Sequence, residues 1–145
     1  VSATADHAEE TNPASRLGFQ PGQVVQEFGY DDDVDHDLRE GIEELTGTEL
    51  ADEDYEELPD AVLLWFREED GDLTDALVDA TQAVDDGSPI WLLTPKTGRD
   101  GYVEPSDIGE AATTAGLTQT RTFNAGKDWS GSRLVTPKTA KAGKR

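Results

Sequence analysis

Ala61-Val62-Leu63-Leu64-Trp65-Phe66 is the run on which the fold of this chain turns. Six consecutive apolar residues are too few for a free-standing helix, and they lack the polar alternation of a strand with one wet face. Bounded by Pro59-Asp60 and by Arg67 to Gly71, they suit a central strand covered on both faces, as in buried parallel sheets. Ile90-Trp91-Leu92-Leu93 reads the same way, extends to Thr94 and stops at Pro95. Between the two runs, Asp72 to Val84 sets Leu73, Ala76, Leu77, Ala80 and Val84 at helical spacing. A buried strand, an amphipathic helix and a second buried strand predict a parallel pair with a helical crossover.

Reading outward from this centre extends the pattern. Upstream, Pro21-Gly22 marks a turn, and Val24 to Phe28 predicts a short strand ending at Gly29. Val34, Leu38, Ile42 and Leu45 form one narrow helical face, with Asp33 as the expected N-cap and Gly47 as the stop. Leu50 to Pro59 is rich in acids and reads as an exposed connection. Gly87-Ser88-Pro89 turns the chain into the second buried strand. Downstream, Pro105-Ser106-Asp107 opens a helix to about Ala115, closed by Gly116. Strands are expected at Thr118 to Asn124 and Trp129 to Thr136, joined by Ala125-Gly126-Lys127-Asp128. The order β-α-β-α-β-α-β-β predicts one α/β domain over residues 17–136. Its expected form is a three-layer sandwich, with a mainly parallel sheet and a C-terminal antiparallel β-hairpin. Residues 1–16 read as a disordered leader and 137–145 as a basic flexible tail.

Composition limits the function classes. The net charge is -20, with 30% charged and 34% hydrophobic residues. Such an acidic surface repels nucleic acid, which needs clustered Lys and Arg. Only the end of the chain departs from this: Lys127, Arg133, Lys138, Lys141, Lys144 and Arg145 face Asp128 alone. Nucleic-acid contact is therefore expected only through the tail. Cysteine is absent, which excludes disulfides, thiolate metal sites and cysteine nucleophiles. No apolar stretch approaches the roughly 18 residues of a membrane span, and Val1 to Arg16 lacks a signal-peptide core. A cytoplasmic location without membrane contact is the expectation.

The terminal strand order is similar to the class I methyltransferase fold, a Rossmann-like scaffold whose last strand inserts antiparallel. Ala61 to Phe66, Leu73 to Val84, Gly87 to Leu93 and Gly116-Leu117 carry that likeness. A second likeness rests on Leu17-Gly18, Pro21-Gly22, Ile90 to Lys96, Asp107-Ile108, Gly116-Leu117 and Asp128 to Val135. With these segments the chain resembles an actinobacterial family known as domain of unknown function 3052, from Leu17 to Lys138. The resemblance implies a degenerate methyltransferase-like fold and a bacterial host, and carries no established activity.

A cofactor-binding Rossmann turn needs close backbone approach and a phosphate on a helix N-terminus, hence Gly-x-Gly-x-x-Gly. Here the turn reads Glu27-Phe28-Gly29-Tyr30-Asp31-Asp32-Asp33: the acid and first glycine are present, the other glycines are not. Three consecutive carboxylates would repel a pyrophosphate and crowd an uncharged cofactor, so no cofactor is expected. Asp33, Asp35, Asp37 and Glu44 copy part of a calcium loop, but Leu38 stands where its glycine belongs and the segment reads as helix. No metal site is expected. Neither histidine, His7 or His36, aligns with Ser130 or Ser132, and no Gly-x-Ser-x-Gly elbow occurs. No catalytic residue is assigned.

One constellation remains. Ligands of open α/β sheets sit beyond the carboxyl ends of the parallel strands. Arg67 and Pro95-Lys96 follow two such strands, and an antiparallel last strand starts at that same edge with Asp128-Trp129-Ser130. Arg67, Lys96, Asp128, Trp129 and Ser130 thus form the expected ligand or partner edge. Lys96 would supply charge toward a small anion, and Trp129 a stacking wall. The structural alternative is that Trp129 caps the core while the cations pair with local acids. The expected function is a non-catalytic binding or regulatory domain that recognises a protein partner. A divergent group-transfer enzyme is the alternative, and nucleic-acid association through the tail the second.

Overall fold

The computed structural model describes residues 17–84, 88–125 and 128–136. The expected leader, the turn glycine Gly87, the connector residues Gly126 and Lys127 and the basic tail lie outside the described residues. Five strands and three α-helices follow in chain order: β1 (Val25–Phe28), α1 (His36–Thr46), β2 (Ala61–Trp65), α2 (Leu73–Ala83), β3 (Ile90–Pro95), α3 (Pro105–Thr114), β4 (Thr118–Asn124) and β5 (Trp129–Val135).

They form one sheet in the order β1-β2-β3-β5-β4. The β1–β2 and β2–β3 pairings are parallel, while β3–β5 and β4–β5 are antiparallel. The sheet is therefore mixed, and the expectation of a mainly parallel sheet is not borne out. The cause is where β5 goes. It inserts between β3 and β4 rather than adding at the edge, so it makes two antiparallel pairings instead of one.

The period of two divides every central strand between two cores. Val62, Leu64, Ile90, Leu92 and Leu134 face α2 and α3, and meet Leu77, Ala80, Ile108 and Ala112. Leu63, Trp65, Trp91, Leu93 and Trp129 face the other way, against Leu38 and Ile42 of α1 and against Leu17 and Phe19. Helices cover both faces, which explains why β2, and β3 apart from Thr94, are apolar: every residue of either strand is buried. β4 is the opposite case. It lies at the sheet edge, and only Phe123 among its seven residues is even half-buried.

Helix α1 begins later than its hydrophobic spacing suggested. Asp35, not Asp33, is the N-cap, its carboxylate accepting the Leu38 N–H at 2.9 Å. Gly47 closes the helix in the left-handed conformation at φ 74°, as expected of a C-terminal glycine. Between α1 and β2 the chain touches the outer side of β1 once. Ala51 pairs with Gln26 in parallel, receiving the Glu27 N–H and donating to the Val25 carbonyl. From β1 the chain therefore steps outward to Ala51, then returns across β1 to β2 and continues to β3. That reversal creates a switch point at the carboxyl ends of β1 and β2, the position where open α/β sheets bind ligands.

Candidate functional site

The crevice at that switch point is occupied by the protein's own side chains. Gly29 ends β1 with φ 80°, and a Cβ there would run into the Trp65 carbonyl oxygen, so only glycine lets the two strands' ends lie this close. Arg67, immediately beyond β2, folds back over this contact. Its Nη1 donates to the Gly29 carbonyl at 2.9 Å, and its guanidinium grips Asp33 through two nitrogens, Nε at 3.0 Å. Asp70 takes a further bond at 3.2 Å. Trp129, the first residue of β5, closes the lid. Its indole N–H donates to the Asp33 carbonyl at 3.0 Å, and the Arg67 guanidinium carbon stands 5.2 Å from its ring centre. Its ring also meets Trp65 edge-on at 4.8 Å.

Two acids beside this turn are also engaged within the protein. The Gly29 N–H donates to the Glu53 carboxylate at 3.0 Å. An acid about 20 residues beyond the glycine turn is where dinucleotide-binding sheets hold a ribose hydroxyl; here it caps the turn instead. Glu27, buried on β1, receives Arg39 at 2.6 and 2.9 Å and the Trp65 indole at 2.8 Å.

The electrostatics follow these pairs. The Arg67 guanidinium bonded to Asp33 holds that carboxyl below the usual aspartate range, outweighing the desolvation that acts against it. Burial works against the charge on Arg67, but the hydrogen bonds it donates to Asp33 and Asp70 prevail and raise its pKa. The bond to Glu27 raises Arg39 in the same way.

The sequence-predicted edge is thus brought together only in part. Arg67 and Trp129 do meet and both are buried, with Trp129 contributing to the lining of the hollow outside them. Asp128 pairs with Arg99 at 3.2 Å rather than with Lys96, while its carbonyl accepts the Lys96 backbone N–H at 2.9 Å. Lys96 is half-buried and its ammonium has no partner among the described residues. Ser130 follows Trp129 on β5 and so faces the opposite side of the sheet, with Ile108 and Thr122. The hollow left outside the lid, of about 710 Å³, is lined by Asp33, Glu69, Asp100 and Asp128 against Arg99 alone among its charges. Asp33 is held by Arg67 and Asp128 by Arg99, and the lining as a whole carries more negative than positive charge.

Sequence reasoning missed Asp33, Glu53 and Arg99 as participants. Nothing local distinguishes Asp33 from Asp31 or Asp32; its role arises from Arg67, distant in the chain. Among the described residues no group of His, Asp or Glu has the arrangement to hold a metal ion. No helix among them is long and apolar enough to cross a membrane.

Comparison with known proteins identifies the lineage. The family model described as a protein of unknown function, DUF3052, matches residues 14–138. The chain belongs to that family. Relatives from Mycobacterium bovis and Mycobacterium tuberculosis, both described as uncharacterised proteins, are 53% identical over 141 residues, covering 97% of this chain and 87% of theirs. Among solved structures the DUF3052 chain is similar to a SAM-dependent methyltransferase from Aquifex aeolicus, with TM-score 0.54 and 16% identity over 91% of this chain and 93% of that one. It also resembles the pyocyanin biosynthetic protein PhzM, with TM-score 0.66 and 9% identity. The match covers 87% of this chain but only 54% of PhzM, so the chain spans about half that protein's length. At such identities the likeness is one of fold, and the sheet is a methyltransferase-like, Rossmann-like one.

Proposed function

We propose that this DUF3052 chain is a non-catalytic binding domain on a methyltransferase-like scaffold, acting in the cytoplasm on a protein partner. The observation that carries the reading is the closed switch point. Arg67, Asp33 and Trp129 fill the crevice where the scaffold takes a ligand, and Glu53 holds the Gly29 N–H. Opening it would break a buried guanidinium's bonds to Gly29 and to the partly exposed carboxylates of Asp33 and Asp70, the latter two screened by solvent. The acidic hollow outside the lid supports a partner that brings a basic segment to Glu69, Asp100 and Asp128.

Isothermal titration with S-adenosylmethionine and S-adenosylhomocysteine tests the first half. No binding is expected up to millimolar ligand; saturable micromolar binding would overturn it. A photo-crosslinker at Asp100 in the bacterial host tests the second. A discrete protein adduct is expected there and not from Asp79 on α2; identical adducts from both positions would sink the assignment.

A divergent group-transfer enzyme is the second reading. The methyltransferase neighbours support it, as does a hollow of about 480 Å³ on the outer side of β1, lined by Glu27, Tyr30, Arg39 and Glu53. The titration separates the two.

A further inference from the structure

The face of the sheet opposite the Trp129 lid carries a second groove, of about 560 Å³, between β3, β5, β4 and the start of α3. Its size lies within the roughly 300–1,000 Å³ typical of small-molecule sites. Its lining sets it apart. The chain is 30% charged, so about four charged side chains would be expected among fourteen lining residues; the groove has no Asp, Glu, Lys or Arg.

The floor is built by register. Thr94 pairs with Ser130 and Ser130 with Asn124, so these three side chains form one row across β3, β5 and β4. The next row sets Ser132 beside Thr122. Gln119 Nε2 donates to the Ser132 hydroxyl at 3.0 Å, which leaves the Gln119 carbonyl oxygen and the Ser132 O–H for other partners. The side chains of Thr94, Thr122, Asn124 and Ser130 have no hydrogen-bond partner among the described residues. One wall is apolar, made by Tyr102, Val103, Pro105 and Ile108.

This combination selects a ligand class. An ionic ligand would find no counter-charge. Hydroxyls rotate to donate or accept, and so match ligand hydroxyls whose direction also varies. The Asn124 carboxamide offers a donor beside an acceptor, the pattern that two neighbouring hydroxyls satisfy. The apolar wall would receive the C–H face of a ring. We propose that this groove binds a small uncharged saccharide, of one or two rings, with its hydroxyls on the Thr94–Ser130–Asn124 row. The proposal is independent of the closed crevice, which lies at the β1–β2 end of the sheet.

Saturation-transfer NMR on the full chain tests it with glucose, maltose, trehalose and myo-inositol, beside glucose 6-phosphate, glucuronate and uridine. At least one neutral saccharide is expected to bind with a millimolar or tighter Kd, at least tenfold better than the charged sugars and uridine. Asn124→Ala and Thr122→Trp, both at exposed positions, should weaken it at least tenfold while near-UV circular dichroism stays native. Asp79→Ala on α2 should leave it unchanged. The proposal is overturned if no neutral saccharide binds, if charged sugars or uridine bind as well, or if the two groove variants bind like the native chain.

Discussion

Arg67 and Asp33 lie 34 residues apart in the chain, yet their bidentate contact shuts the place where the scaffold would take a ligand. The pair has a pH signature. A carboxyl whose pKa is lower in the folded than in the unfolded chain binds protons more readily when unfolded, so folding gains stability as pH rises through that window. The Asp33 contribution should be fully present above its unfolded value, about 4, and fade as pH falls through the lower folded value. Asp33 is 56% exposed, so solvent screens the effect and its size will be modest. Urea midpoints measured from pH 6 down to pH 3 should show a shallower acid limb for Asp33→Asn than for the native chain. Parallel limbs would mean that the Arg67 contact contributes nothing to folding. The residues of this pair were visible in the sequence, but their pairing was not: Asp31, Asp32 and Asp33 are chemically equivalent until Arg67 selects one.

The elements show the same division between pattern and placement. Val34, Leu38 and Ile42 were readable as one apolar face, and all three are buried. Yet the helix starts at His36, with Val34 packing from the segment before it. Asp33 holds Arg67, and the cap is Asp35. Asp35→Ala should therefore cost about 1 kcal/mol, the usual worth of an N-cap carboxylate. Asp37→Ala, within the first turn, should cost no more than a few tenths. Chemical denaturation of the two variants checks this; equal losses would place the cap elsewhere. The terminal strands were legible as a pair, because a short connector leaves no alternative to antiparallel pairing. Which of them sits beside β3 was not stated by that pattern. A signal existed in composition: β4 carries Phe123 as its one apolar residue, whereas β5 supplies Trp129, Leu134 and Val135 and takes the inner place. Gly131 also makes β5 fit there, since a side chain at that position would collide with the Phe123 ring from β4.

At the scale of the whole molecule, charge is the dominant feature. With net charge -20 on 145 residues, the folded chain compresses its own repulsion, and unfolding relieves it. Salt shortens the screening length from about 10 Å at 0.1 M to about 3 Å at 1 M. Raising sodium chloride across that range should lift Tm by several degrees, read by differential scanning calorimetry. A flat or falling Tm would show that the acidic surface is already balanced by local pairs such as Glu27–Arg39. The acidic surface, the buried character of β2 and β3, the helix-strand order and the missing glycines of the cofactor turn were all readable from the chain. Each is a property of neighbouring residues, carried by periodicity, turn chemistry or charge. Tertiary packing alone settled that Arg67 selects Asp33 and closes the crevice, and that Thr94, Ser130 and Asn124 line up in one neutral groove. Those outcomes depend on strand register and on which distant side chain reaches a given point first, and no local pattern encodes either.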